Sequence, residues 1–335
     1  MRLLFVKLKH IGDALLLTPT LTAVRAAYPQ AEIWVVVRKG TEGILAGCPA
    51  IDRLLTAAPP EVSKRSLWNW ADDFQLIPEL YRQQFDYVFE LSDGSRGRWL
   101  SWLSGAKKRC TTVCPRPLNA WWRGKFNCPS NHNWTSGHRV EKDFFTVNDC
   151  LPLAPEIPPL VFDRSRTAPS QIQSKLSGYA VFHPGTRWQR KRWPQEKWIE
   201  LGHQLLERLP QLVISTGPEP EEVEQAAAMA VALGPQALST EGKLSWAQLA
   251  RLLYGAKLFV GVDTAAMHLA AACQCPTVAL FGPSVVHFWR PWAVPHRLVG
   301  AVLGPGEKAP DDAMSRIEAS EVLAACQELK ATPCS

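Results

Sequence analysis

The chain has 335 residues, 46% of them hydrophobic and 20% charged, with a formal net charge of +6. That length accommodates two domains of about 100–200 residues each, and the balance is ordinary for a globular chain, which excludes a disordered or fibrous one. No apolar run approaches the about 20 residues of a membrane-spanning helix, and the stretch before Lys7 is too short and too charged for a secretory signal. The modest positive charge suits an anionic partner or an anionic surface. Nine cysteines without framework or Cys-x-x-Cys spacing read as reduced thiols of a cytosolic protein, and no metal site is expected from them.

Taken in chain order, Leu3–Val6 reads as a buried strand and Ala14–Tyr28 as a helix closing before Pro29. Glu32–Val37 and Tyr87–Glu90 read as further strands, so the first half alternates in the manner of a parallel α/β sheet. Residues 57–80 and 93–137 break the pattern with basic and aromatic residues and read as loops or insertions carrying binding groups. A Pro-rich segment, Leu151–Pro159, and the polar run Asp163–Ser177 mark a linker. The alternation then restarts. Strands are expected at Tyr179–His183, Gln211–Thr216, Leu258–Val262 and Thr277–Phe281. Helices are expected at Glu196–Arg208, Pro220–Leu233, Trp246–Tyr254, Ala265–Cys273 and Ser315–Leu329. The expectation is two Rossmann-like domains, residues 1–165 and 166–335, with the terminal helix over 315–329 able to pack back toward the first. Ligands of such sheets bind beyond the carboxyl ends of the strands, so a cleft between two such edges would make a two-substrate site.

Neither G-x-G-x-x-G nor G-x-x-x-x-G-K-[ST] occurs, which counts against a conventional dehydrogenase and a P-loop NTPase. Four segments carry candidate chemistry. In "FVGVDTAAMHLAAACQCPTVALFGPS" a strand ends at Asp263, Thr264 is placed to cap the next helix, and Ala265, Ala266 and Met267 leave backbone N–H groups for a phosphate, with His268 as an added donor. A plain capped helix is the alternative. In "HPGTRWQRKRWPQEKW" a strand runs into a loop with Thr186, Arg187, Arg190, Lys191 and Arg192, suited to a diphosphate or simply a solvated basic loop. In "STGPEPEE" Glu219 after Gly217 could accept from a sugar hydroxyl or merely begin a helix. Near the start, Gly12-Asp13 puts a carboxylate at the tip of the first strand, either as a base or as a cap.

Together "VKLKHIGDALLLTPTL", "HPGTRWQRKRWP", "STGPEPEE" and "GVDTAAMHLAAACQCPTVALFGPS" resemble the heptosyltransferases of glycosyltransferase family 9, which assemble the lipopolysaccharide core. The resemblance implies a GT-B fold, an ADP-heptose donor, inversion at the anomeric carbon and no metal or other cofactor. It places the catalytic base on Asp13 and a catalytic lysine on Lys191. It places donor contacts on Thr186, Arg187, Lys191, Gly217, Glu219, Asp263, Thr264, Ala265, Ala266 and His268. Ala265 departs from the pattern, because many members carry glycine there. Acceptor contacts are assigned to Lys7, His10, Gly12, Arg96, Arg98, Arg123 and His138. Trp99, Trp102, Trp121 and Trp122 suit sugar faces or a membrane interface.

"KLKHIGDALLLTP" and "VVHFWRPW" look most like the heptosyltransferase III type, which adds a side-branch heptose to an inner-core heptose. The expected acceptor is a phosphorylated lipid A-core at the inner-membrane surface. The expected enzyme is a monomer, cytoplasmic and peripheral on that membrane. Alternatives are a heptosyltransferase of type I or II acting on Kdo or the first heptose, another sugar-nucleotide-dependent GT-B transferase, and a basic nucleic-acid-binding protein, for which basic residues interleaved with aromatics would also serve.

Overall fold

The computed structural model describes residues 1–58, 71–301, 303 and 306–331. They fall into two compact units, Met1–Val161 and Phe162–Ser335.

The first unit is built on β1 (Arg2–Lys7), β2 (Glu32–Arg38), β3 (Arg53–Ala57), β4 (Tyr87–Glu90), β5 (Lys108–Thr112) and β6 (Cys128–Ser130). They form one sheet in the order β3-β2-β1-β4-β5-β6, parallel throughout. Leu3, Leu4, Phe5 and Val6 are all fully buried, because helices cover both faces of such a sheet and a central strand can then be apolar at every position.

The single helix expected over Ala14–Tyr28 is two: α1 (Ile11–Leu15) and α2 (Thr18–Ala27). Pro19 explains the break. It has no N–H to give to the Leu15 carbonyl, and the Thr18 hydroxyl donates to that oxygen instead, at 2.8 Å. The stretch 93–137 is not an insertion. It supplies α5 (Ser95–Leu103), β5, α6 (Ala120–Arg123) and β6, after α3 (Glu42–Leu45) and α4 (Ala71–Arg82) and before α7 (Arg139–Asn148). β5 reads Lys-Arg-Cys-Thr-Thr and β6 has three residues, too polar and too short to show a period. They are strands because neighbours pair with them, Tyr87 opposite Lys108 and Cys110 opposite Cys128. Of the other expected insertion, 57–80, the end of β3 and most of α4 are regular structure, and 59–70 lie outside the described residues.

One buried ion pair ties α7 to the first strand. Lys7 Nζ lies 2.8 and 2.6 Å from the Asp143 carboxylate oxygens, with both side chains buried. Losing one partner of such a pair costs about 3–5 kcal/mol, because the other charge is left buried.

The second unit repeats the plan with β7 (Tyr179–His183), β8 (Gln211–Ile214), β9 (Ala237–Ser239), β10 (Leu258–Val262), β11 (Thr277–Phe281) and β12 (His296–Gly300). The order is β12-β11-β10-β7-β8-β9, again parallel throughout. Its helices are α8 (Gln195–Leu206), α9 (Pro220–Leu233), α10 (Trp246–Gly255), α11 (Ala265–Ala272), α12 (Val286–Trp289) and α13 (Ala319–Ala331). Trp193 and Trp198 anchor its core, ring centroids 4.9 Å apart, and Trp193 Nε1 donates to the Ile317 carbonyl at 3.0 Å. Val322, Ala325, Cys326 and Leu329 of α13 join Leu201 and Leu205 of α8 in the second unit's own core.

Candidate active site

In the second sheet β10, β7 and β8 are neighbours, so the loops leaving their carboxyl ends lie side by side. β7 ends at His183 and runs through Pro184, Gly185 and Thr186 to a 3-10 turn at Gln189–Lys191. That turn brings Lys191 Nζ to 2.6 Å from Asp263 Oδ2 and 3.4 Å from the Asp263 carbonyl oxygen, just past the end of β10. The two sequence-predicted residues therefore meet. Asp263 cannot itself attract a phosphate; it holds the ammonium in place.

Thr264 stands at the N-cap of α11, but its hydroxyl does not cap the helix. It donates back to the Val262 carbonyl at 3.3 Å. The first-turn N–H groups at Ala265, Ala266 and Met267 thus have no side-chain cap, and the helix dipole points the same way. An anion here would meet N–H donors and an ammonium together. His268 is not a surface donor: it is buried, one turn inside the helix.

Thr186 is buried and accepts from the Trp188 N–H at 3.3 Å. Arg187 is exposed, its guanidinium 5.1 Å from the centroid of Trp188, and Arg192 is held by Glu221. Glu219 is exposed at the N-cap of α9 and makes no capping bond. The carboxylate that turns into the loops is Glu222, which sequence reasoning missed. Its Oε2 accepts from Gly217 N at 3.2 Å and from Thr216 Oγ1 at 3.4 Å. A Cβ at Gly185 or Gly217 would come within 2.7 or 2.9 Å of that oxygen, so the two glycines make room for it. The signal was present, a glutamate three residues past the N-cap, in the position of a capping-box acid.

In the first unit Asp13 sits in the first turn of α1, directly after β1, and is partly exposed. It is not a helix cap; His10 holds the N-cap position, itself exposed and without a capping bond. Among the described residues the Asp13 carboxylate makes no hydrogen bond or ion pair, though Lys7 and Arg139 both feel its charge. Gly12 flanks it in the same turn.

Several residues expected at the acceptor have partners within the first unit. Lys7 is committed to Asp143, and Arg96 to Asp73 and the Ala58 carbonyl, with 2.6 and 2.8 Å bonds from Nη2. His138 is buried and caps α7, its Nδ1 accepting from Val140 N at 3.1 Å while Glu141 accepts from His138 N at 2.6 Å. Arg98 is half-buried near Glu90, and Arg123 is exposed at the end of α6. The four tryptophans pack on one another, with Trp99 5.4, 5.0 and 5.3 Å from Trp102, Trp121 and Trp122. Only the Trp121 ring, 46% exposed, offers much surface.

The fold is that of solved heptosyltransferases. An Escherichia coli heptosyltransferase, WaaC with ADP, superposes with a TM-score of 0.79 at 22% identity, over 98% of this chain and 100% of that one. A family 9 glycosyltransferase from Veillonella parvula gives 0.79 at 19% identity, over 98% and 96%. Two parallel sheets of this likeness define the GT-B class of glycosyltransferases. In sequence, the chain is 30% identical to lipopolysaccharide heptosyltransferase 1 of Pseudomonas aeruginosa over 294 residues, 85% of this chain and 79% of that protein. It is 27% identical to lipopolysaccharide heptosyltransferase 3 of Escherichia coli over 297 residues, 84% of each chain. The profile of glycosyltransferase family 9 (heptosyltransferase) matches residues 74–315. The chain belongs to glycosyltransferase family 9 and is a glycosyltransferase.

His183, at the base of this edge, sets a pH dependence. Ser215 Oγ spends its proton on the Phe182 carbonyl at 3.0 Å, so His183 Nδ1, 2.9 Å from that oxygen, carries the proton and the ring is neutral. Burial pushes its pKa from 6.5 down to about 4. The unfolded chain binds this proton first, so the contribution is complete above pH 6.5 and is lost as pH falls toward about 4. At about 1.4 kcal/mol per pH unit the loss reaches roughly 3 kcal/mol. The urea midpoint of the native chain should therefore drop more between pH 7 and pH 4.5 than that of His183→Gln. Parallel pH profiles would contradict the assignment.

Proposed function

We propose that the chain transfers a heptosyl group from ADP-heptose to a heptose of the lipopolysaccharide inner core, with inversion, in a single displacement. The observation that carries this reading is the Lys191 ammonium fixed by Asp263 beside the uncapped start of α11, a site for a leaving diphosphate. The names of the relatives, lipopolysaccharide heptosyltransferases 1, 2 and 3, support the sugar and the acceptor class. The similar Escherichia coli heptosyltransferase structure holds ADP, which supports the nucleotide.

In this reading residues 166–335 bind the donor and residues 1–165 the acceptor. Asp13 takes the proton of the acceptor hydroxyl as its oxygen bonds to the anomeric carbon. The bond from that carbon to the diphosphate oxygen breaks, and ADP leaves. Lys191 and the N–H groups of Ala265 and Ala266 take up the charge that develops on the diphosphate, as an oxyanion site does, and no metal takes part. ADP is a good leaving group without protonation, so a second carboxylic acid is unnecessary. Glu222, held beside Gly217, takes the hydroxyl-binding role first expected of the exposed Glu219.

The acceptor's own charge falls to exposed groups, His10 and Arg123, rather than to Lys7, Arg96 or His138. The protein works as a monomer at the cytoplasmic face of the inner membrane. Among the described residues no helix is long and apolar enough to cross a membrane, and in this reading the contact is peripheral. Trp121 supplies it, with Lys125 Nζ 5.3 Å from the Trp121 ring and 4.6 Å from Trp102.

Two measurements test this. Acceptor-dependent ADP release should fall by about 10²–10⁴-fold in Asp13→Asn, with ADP affinity unchanged. Full activity in that variant would demote Asp13, and no release with any inner-core acceptor would end the heptosyltransferase reading. Trp121→Ser should lower sedimentation with anionic lipid vesicles while leaving transfer to a detergent-dispersed acceptor intact. Equal sedimentation of both proteins would remove Trp121 from the membrane contact.

A further inference from the structure

Three cysteines far apart in sequence share one spot in the first unit. Cys110 of β5 and Cys128 of β6 are direct register partners on adjacent parallel strands. Such partners project to the same face, about 4.8 Å apart along the hydrogen-bonding direction. Cys150 arrives from the end of α7, where the helix is pinned to β6 by Ser130 Oγ donating to Asp149 Oδ2 at 2.6 Å. The three sulfur atoms all lie within 4.8 Å of one another.

Metal–sulfur bonds of about 2.3 Å place three sulfurs of a trigonal site about 4.0 Å apart. The observed triangle needs to contract by less than an ångström. We propose that Cys110, Cys128 and Cys150 bind one soft, thiophilic cation as three thiolates. Among the described residues no fourth histidine, cysteine or carboxylate joins the cluster, so the class favoured is a d10 ion content with three sulfurs, of the Cu(I) kind. Binding displaces the three thiol protons to water as three metal–sulfur bonds form.

The surroundings fit that exchange. Cys110 is buried, while Cys128 and Cys150 are partly exposed and give a way in. In the protonated state Cys150 donates to the Cys128 carbonyl at 2.9 Å. None of the three belongs to the residues assigned to donor or acceptor.

Cd(II) is the probe, because sulfur-to-cadmium charge transfer absorbs in the ultraviolet where the apoprotein changes little. The reduced full chain should develop that band and saturate at one ion per chain. Cys128→Ser and Cys150→Ala should each abolish it, and Cys114→Ser, outside the cluster, should not. The thermal midpoint of the native chain should also rise with Cd(II) and return on adding a chelator, a readout that needs no variant to fold. Absence of the band and of the midpoint rise, or a band that survives in both Cys128→Ser and Cys150→Ala, would overturn the proposal.

Discussion

In each sheet all six strands run parallel, so every strand ends on the same edge and every loop leaving a carboxyl end is gathered there. That geometry brings residues 72 positions apart, Lys191 and Asp263, into an ion pair. The pair is not chiefly a stabilising device, since Coulombic gain in a half-buried pair is largely spent on desolvation. Its value is positional. A lysine has a long flexible stem, and a free one would lose much rotamer freedom on meeting a ligand. Held by Asp263, the ammonium is already fixed beside the α11 start, as the proposed diphosphate site requires. The Thr264 hydroxyl, turned back to Val262, leaves the helix start to a ligand rather than closing it.

The first unit shows how the same residue types are spent differently. Its basic residues looked like a surface for an anionic acceptor, yet Lys7 and Arg96 are bound to internal carboxylates. Buried charges of that kind must be paired, so the residues closest to the core are the ones lost to binding. Asp13 has no such partner among the described residues, and that separates it from Asp73, Asp93 and Asp143, which are paired. The base role proposed for Asp13 needs a carboxylate of that kind.

Much of the second unit was legible in sequence. Tyr179–His183, Leu258–Val262 and Thr277–Phe281 are short apolar runs bounded by turn residues, and they are strands over those spans. Strands β9 and β12 were not legible, being three residues long or partly exposed along their length. In the first unit, tryptophan and arginine obscured α5 and α6, whose period is hidden when aromatic rings pack on one another, while β5 and β6 are too polar and too short to show one. Among the candidate site residues Asp13, Lys191 and Asp263 stand out in the sequence by their position after strands. The choice between Glu219 and Glu222 could not, since it depends on which carboxylate the helix start turns toward Gly185 and Gly217. The burial of His138 and His268 was equally hidden, because a histidine beside a helix start reads the same whether it faces water or the core.

The central claim, that Lys191 held by Asp263 receives the donor's diphosphate, is tested most directly by calorimetric titration of ADP into the native chain and into Lys191→Met. A charge-assisted hydrogen bond is worth about 1.5–3 kcal/mol, so the account predicts ADP binding weakened by roughly 10- to 150-fold in the variant. ADP affinity equal in the two proteins would contradict it.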